Sequence, residues 1–181
     1  MNKVNEKFLL YRVRTKQDPD AFGQLYDGYV DKIFRFVYLK ISHRQDAEDL
    51  TSDVFLKTWN YLVQEDQKSV DSFSGFVYGI ARNSVVDWYR KKSKIQECQL
   101  DGMIIRDYNL DIGKVLDLEI ESIKLINTIK TLKQDYQDVI LLRYIEELSI
   151  SEIAKILDKR NASVRVTLHR AKEKLKSLLI N

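Results

Sequence analysis

Phe73-Ser74-Gly75-Phe76-Val77-Tyr78-Gly79-Ile80-Ala81-Arg82-Asn83-Ser84-Val85-Val86-Asp87-Trp88-Tyr89-Arg90-Lys91-Lys92 is the stretch whose reading decides the fold. Phe73, Phe76, Val77, Ile80, Ala81, Ser84, Val85 and Trp88 recur at steps of three and four, the period of one buried helical face. The spacing predicts a helix from about Ser72 to Lys92. It ends in Arg90-Lys91-Lys92-Ser93-Lys94, where cations suit the negative end of the helix dipole.

Upstream, the same period continues. Asp18-Pro19 supplies an N-cap followed by proline at the first helical position. Phe22, Leu25, Tyr26, Tyr29, Ile33, Phe36 and Val37 then carry an apolar face to about Ile41. A short helix from about Asn5 to Lys16 precedes it. Ser42-His43-Arg44-Gln45 has the pattern of a capping box, with Ser42 as the cap. It opens a helix to about Leu62 bearing Ala47, Leu50, Val54 and Leu62 on one side, with Phe55 and Trp59 one step round. Gln64 to Ser69 is polar and breaks the pattern.

Downstream, periodicity weakens. Between Ile95 and Glu121 the acids Glu97, Asp101, Asp107, Asp111, Asp117, Glu119 and Glu121 face only Arg106 and Lys114, the composition of a linker. Four helices follow, at about Leu118–Thr131, Asp135–Ile145, Ser151–Leu157 and Ala162–Leu179. Ser149-Ile150-Ser151-Glu152 is a second capping box. The short gap after Leu157 is the connection of a helix-turn-helix. The expected fold is therefore all-α: an N-terminal helical domain over 1–94, an acidic linker over 95–117 and a C-terminal helix-turn-helix domain over 118–181.

Composition excludes several classes. One Pro and six Gly among 181 residues leave little material for the turns of an all-β fold. A single cysteine, Cys98, cannot form an internal disulfide, which excludes a disulfide-stapled secreted scaffold. Nowhere do about 18 apolar residues run together, and the polar start lacks the apolar core of a signal peptide. The chain reads as a soluble cytoplasmic protein without direct membrane insertion. His43 and His169 have no evident Ser, Cys or Asp partner, and there is no phosphate-cradling glycine loop and no metal motif. No catalytic residues, no metal, no cofactor and no small-molecule substrate are expected.

Net charge is only +3, so the placement of charge matters more than its sum. From Lys155 to Lys176 eight basic residues stand against Asp158 and Glu173. On the last helix Val164, Leu168, Ala171, Leu175 and Leu178 make an apolar stripe. Lys159, Arg160, Asn161, Ser163, Arg165, Thr167, His169, Arg170 and Lys172 lie at its start or elsewhere on it, as on a recognition helix in a DNA major groove. By charge alone a solvated lysine-rich helix is the simpler reading, and the capped short helix and turn favour DNA. The fourth helix sets Arg82, Arg90, Lys91 and Lys92 beside Tyr78, Trp88 and Tyr89, cations for phosphates and rings for unpaired bases. Tyr78 and Tyr89 are the candidates for exposed faces, ordinary surface tyrosines being the alternative. Trp88 is expected partly in the core, and Phe73 and Phe76 within it. Asp46, Glu48, Asp49 and Asp53 crowd two turns of the third helix, more acids than capping requires. With exposed Phe55 or Trp59 they form a candidate docking face for a basic partner surface.

Three segments resemble those of the extracytoplasmic-function (ECF) sigma factors, and the resemblance covers nearly the whole chain. Asp46-Ala47-Glu48-Asp49-Leu50-Thr51-Ser52-Asp53-Val54-Phe55-Leu56-Lys57-Thr58-Trp59 is similar to the segment that grips the polymerase clamp helices. Ile80-Ala81-Arg82-Asn83 and Asp87-Trp88-Tyr89-Arg90 resemble the segment that recognises and melts the minus-ten element. Leu148 to Ala154 and Val164 to Ala171 resemble the helix-turn-helix that reads the minus-thirty-five element. Here Leu157-Asp158-Lys159-Arg160 stands where many members have Gly after the Leu, Thr167 where a basic residue is common, and Gly79 where a larger residue is common.

The resemblance implies a region 2-like bundle and a region 4-like domain that bind core RNA polymerase and promoter DNA, both duplex and melted strand. Asp46, Glu48, Asp49, Asp53, Phe55, Leu56 and Trp59 would bind polymerase. Tyr78, Arg82, Asn83, Trp88, Tyr89, Arg90, Lys91 and Lys92 would meet the minus-ten element, the loop from Gln64 to Ser72 would help capture a flipped base, and the linker would thread toward the polymerase active site. An anti-sigma factor is implied as a partner. A free-standing helix-turn-helix regulator explains the C-terminal half but leaves the Asp46–Trp59 segment unaccounted for, and the basic final helix counts against a helical adaptor that binds only protein.

Overall fold

The computed structural model describes residues 3–64, 69–98 and 120–180, and among these there is no strand. Two compact units divide the chain, Met1–Arg106 and Asp107–Asn181.

The first unit is a bundle of α1 (Lys3–Lys16), α2 (Pro19–Ile41), α3 (Arg44–Leu62) and α4 (Phe73–Cys98). Asp18 caps α2 as its sequence requires, its Oδ1 accepting the N–H groups of Asp20 and Ala21 at 3.0 Å while Oδ2 takes the Arg12 guanidinium at 2.8 Å. The Ala21 N–H first, with Arg12 and the Asp20 N–H adding to it, holds this carboxyl below the usual carboxylate range. The last turns of α2 are covered on every side, from Phe36 to Ile41, which makes this the central helix. Even Lys40 is buried, with its ammonium over the Phe36 ring at 5.6 Å. Leu25, Ile33, Val54, Leu62, Phe73, Val77 and Val85 fill the space between α2, α3 and α4. Each such side chain contributes about 1.5–3 kcal/mol of apolar burial.

The α2–α3 corner departs from the sequence reading. His43, not Ser42, is the N-cap of α3, with Nδ1 accepting the Asp46 N–H at 3.3 Å. Ser42 instead ends α2 in the left-handed region, at φ 56°, its N–H returning to the Tyr38 carbonyl at 2.9 Å. The tight αα corner needs a left-handed residue, and that requirement overrides the local capping pattern.

Helix α4 is longer than its apolar period and runs on to Cys98, so the expected linker starts within a helix. Positions 99–117 of that linker, and 65–68 of the polar loop, lie outside the described residues. Gly79 has nothing within 4 Å of where a Cβ would sit, so it costs α4 about 1 kcal/mol of propensity without a packing reason.

The second unit holds α5 (Ile120–Lys130), α6 (Gln134–Ile140), a π-helical turn (Leu141–Ile145), α7 (Ile150–Ile156) and α8 (Asn161–Ile180). The sequence period predicts one helix from Asp135 to Ile145. In the structure Glu146 N–H reaches back five residues to the Leu141 carbonyl at 3.0 Å, widening the last turn. Gln137 closes the preceding corner by donating from Nε2 to the carbonyls of Lys130 and Leu132 at 2.9 and 2.8 Å. Packing of α6, α7 and α5 against α8 is built on Val139, Ile140, Leu142, Ile153, Val164 and Ala171.

Candidate functional site

On α3 the four acids are not equivalent. Glu48 pairs with Arg44 at 2.8 Å and Asp53 with Lys57 at 3.1 Å, while Asp49 is exposed and makes no ion pair among the described residues. At about 100° per residue, Asp49, Asp53 and Leu56 share one outward face, and Glu48 lies about a third of a turn away. Leu56 is 57% exposed, whereas Phe55 is 3% exposed. The expectation that Phe55 docks a partner is therefore corrected. Its ring sits edge-on to Tyr26 at 4.7 Å and to Phe22 at 6.5 Å, inside an aromatic cluster that also includes Trp59, 5.1 Å from Phe22. Trp59 is half-buried and closes that cluster at the surface.

On α4, Tyr78 is also corrected. It is 1% exposed with its ring edge-on to Phe36 at 5.6 Å, so no nucleotide can reach it. Tyr89 keeps 39% of its surface, but its hydroxyl donates to the Lys40 carbonyl at 2.6 Å, satisfying one of the orphan acceptors at the end of α2. Desolvation there raises the phenol's pKa. Trp88 is half-buried, edge-on to Tyr89 at 5.0 Å, with the Lys92 ammonium 4.5 Å from its ring. Asn83, Arg90 and Lys91 are exposed, Arg82 and Lys92 partly so, and Arg90 contacts Asp87 at 3.3 Å. Phe73 is buried as expected, and Phe76 is only half-buried against Tyr61 at 4.6 Å.

The start of α4 carries a feature the sequence conceals. Glu6 of α1 is 7% exposed, and its carboxylate accepts the N–H groups of Phe73 and Ser74 at 3.1 and 3.3 Å, the Ser72 hydroxyl at 3.4 Å and the Tyr29 hydroxyl. An acid from the first helix thus caps the fourth.

In the second unit the capping box forms as read, Ser149 N–H donating to Glu152 at 2.8 Å and Glu152 N–H to Ser149 Oγ at 3.3 Å. After α7 the chain turns through Asp158 at φ 50°, and Lys159 N–H returns to the Ala154 carbonyl at 2.9 Å, a Schellman closure. Asp158 occupies a left-handed position suited to glycine. Lys159 is spoken for by Asp135, at 2.8 Å, which ties the turn to α6. Val164 and Ala171 bury the inner stripe of α8, leaving Arg160, Asn161, Ser163, Arg165, His169, Arg170 and Lys172 exposed. Thr167 is half-buried and donates to the Ser163 carbonyl at 2.9 Å. Arg165 and Lys172 stand two turns apart along one flank of the outward face, Ser163 and Arg170 along the other. Val166, 49% exposed, lies between them and was not picked out by charge or period.

Among the described residues no group of three or more His, Cys, Asp or Glu could hold a metal, and no helix is long and apolar enough to cross a membrane. The chain is 31% identical over 174 residues to the ECF RNA polymerase sigma factor SigW of Bacillus subtilis, covering 91% of each. This chain belongs to the ECF sigma factor family. Its family models are Sigma-70 region 2, matching residues 25–95, and Sigma-70 region 4, matching residues 122–175. The RNA polymerase sigma factor YlaC of B. subtilis is 32% identical over 160 residues, covering 87% of this chain and 91% of its own. The fold is shared with CnrH, solved in complex with the cytosolic domain of CnrY, at a TM-score of 0.70, 20% identity and 97% coverage of each chain. It is shared too with the sigma factor RpoE of Bartonella quintana, solved with the anti-sigma factor NepR, at 0.68, 19% identity and coverage of 87% and 96%. As an ECF sigma factor the chain is a transcription initiation factor, an alternative sigma subunit of RNA polymerase.

Proposed function

We propose that the promoter-directing work of this sigma factor is divided among three surfaces. The outward face of α3, with Asp49, Asp53 and Leu56 at its centre and Asp46, Glu48 and Trp59 beside it, binds core RNA polymerase. Asn83, Arg82, Arg90, Lys91 and Lys92, with the open face of Tyr89 and the edge of Trp88, hold the melted minus-ten strand, helped by the loop from Gln64 to Ser72. The exposed residues of α8 enter the major groove of the minus-thirty-five element. Arg165 and Lys172 serve base edges and phosphates along one flank, Ser163 and Arg170 along the other, with Arg160 and Asn161 at the entering end. Val166 offers an apolar contact of the kind a thymine methyl accepts. The module boundaries read from the sequence, 1–94 and 118–181, divide these tasks.

The observation that carries this reading is the pairing, in one chain, of an acidic helix face exposing Leu56 with a capped helix-turn-helix whose outward face is basic. Polymerase supplies the catalysis, so the chain itself is not an enzyme and needs no cofactor. It acts in the bacterial cytoplasm and is held inactive by an anti-sigma factor that covers the polymerase-binding face, in keeping with the anti-sigma complex of its structural relative. The test is run-off transcription with core RNA polymerase and fragmented genomic DNA, with the transcripts sequenced. New starts that share two spaced upstream elements are expected. If a control sigma factor works and this chain neither binds core nor yields new starts, the assignment fails.

A further inference from the structure

Helix α1 is apolar on two opposite faces. Leu9, Leu10 and Val13, with Glu6, point into the bundle. On the other side Val4, Phe8 and Tyr11 follow one another at one-turn steps and are 75%, 57% and 62% exposed. Helical geometry sets Lys3, Lys7 and Arg14 along one flank of this stripe and Arg12 and Lys16 along the other. The one acid of α1, Glu6, is turned inward to the start of α4. Beside the stripe runs a groove of about 500 Å³ lined by Lys7, Leu10, Tyr11, Arg14, Val70 and Asp71.

We propose that this face docks an acidic amphipathic helix of a protein partner. Apolar side chains at steps of four and three form a ridge that fits the groove of another helix. Exposed Phe8 and Tyr11 are the kind of anchor that dominates protein interfaces. The basic flanks complement Asp and Glu beside the partner's own apolar stripe. Other occupants fit less well. The Arg12 guanidinium already lies 5.9 Å from the Phe8 ring, where a base would stack, and Asp71 in the groove wall repels phosphate. A second copy of the chain would set one basic flank against another. The stripe lies outside residues 25–95 matched by the region 2 family, and binding there is separate from the polymerase and promoter surfaces.

The test uses the full chain and a synthetic helical peptide of about five turns with a leucine ridge flanked by glutamates. A lysine-flanked peptide and a scrambled one serve as controls. Binding is followed by backbone amide shifts and fluorescence anisotropy. The glutamate peptide is expected to perturb α1, to bind at least tenfold more tightly than either control, and to weaken as salt rises. Phe8→Ser with Tyr11→Ser, both on exposed positions, should reduce affinity at least tenfold with an unchanged circular dichroism spectrum, and Lys7→Glu should reduce it several-fold. Equal binding of acidic and basic peptides, or indifference to the Phe8 and Tyr11 changes, overturns the proposal. So does tighter binding at this stripe by a single-stranded oligonucleotide or an anionic vesicle, or a dimer that the same changes abolish.

Discussion

The carboxylate of Glu6 accepts the backbone N–H of Phe73 at 3.1 Å, joining residues 67 positions apart. A helix start left without a partner and buried is expensive, and here the partner comes from another helix. Both tryptophans, Trp59 and Trp88, lie in the first unit, so their fluorescence reports its unfolding. Glu6→Ala should lower its stability by about 1–3 kcal/mol, since buried donors lose their acceptor. Glu6→Gln keeps an acceptor and should cost less. Urea unfolding followed by tryptophan fluorescence measures both, and an unchanged midpoint for Glu6→Ala would remove the cap from the account.

Leu56 and Phe55 are neighbours in sequence and opposite in role. Leu56→Asp should leave the urea midpoint of the first unit within about 0.5 kcal/mol of wild type, as for a surface change. The same change should cut core-polymerase affinity by at least tenfold. Phe55→Ala should destabilise the unit by about 3–5 kcal/mol through the cavity it leaves. Polymerase binding that survives Leu56→Asp would move the contact off this face of α3.

Asp158 holds a left-handed backbone, at φ 50°, in the turn between α7 and α8. Asp158→Gly relieves that conformation and should stabilise the second unit by up to about 1 kcal/mol, the gain reduced by the extra freedom of an unfolded glycine. Asp158→Val should destabilise it by about 1–2 kcal/mol. Thermal unfolding of the paired variants by circular dichroism gives the order, and a reversed order would place the strain elsewhere.

Burial brings the Lys130 ammonium down to about 8 from its ordinary 10.5. Between those values the unfolded chain holds the proton that the folded chain has released, so stability rises with pH across that window and the charged form is disfavoured below it. Lys130→Met should remove the rise. Unfolding of wild type and variant at pH 7 and pH 10 gives the comparison, and parallel pH profiles would show that Lys130 is not the group responsible.

Where burial alone fixed the outcome, sequence period was enough to find it. The faces of α2, α4 and α8 were legible because their apolar residues repeat at 3.6, and the Asp18 and Ser149 caps because each contact is local. Non-local demands hid the rest. Nothing near Glu6 in sequence signals a cap for a helix beginning at Phe73. Tyr78 looked available for stacking because a tyrosine suits both core and surface, and only its position against Phe36 decides between them. Phe55 and Leu56 are equally apolar, and the aromatic neighbours Phe22 and Tyr26 determine which one is covered. Ser42 met the local capping pattern and lost it to the corner. Val166 carries no charge and interrupts no period, so its place on the outward face of α8 emerges only from the three-dimensional arrangement.

The widened turn at Leu141–Ile145 makes chain length, rather than side-chain identity, the constrained quantity there. A five-residue reach fills the space that a regular helix would cross with four. Losing one residue at Arg143 or Tyr144 would restore regular winding and rotate everything that follows by about 100°. The pair α7–α8 would then swing out of register with α6. Insertions and deletions in this stretch are accordingly far more damaging than substitutions at the same positions.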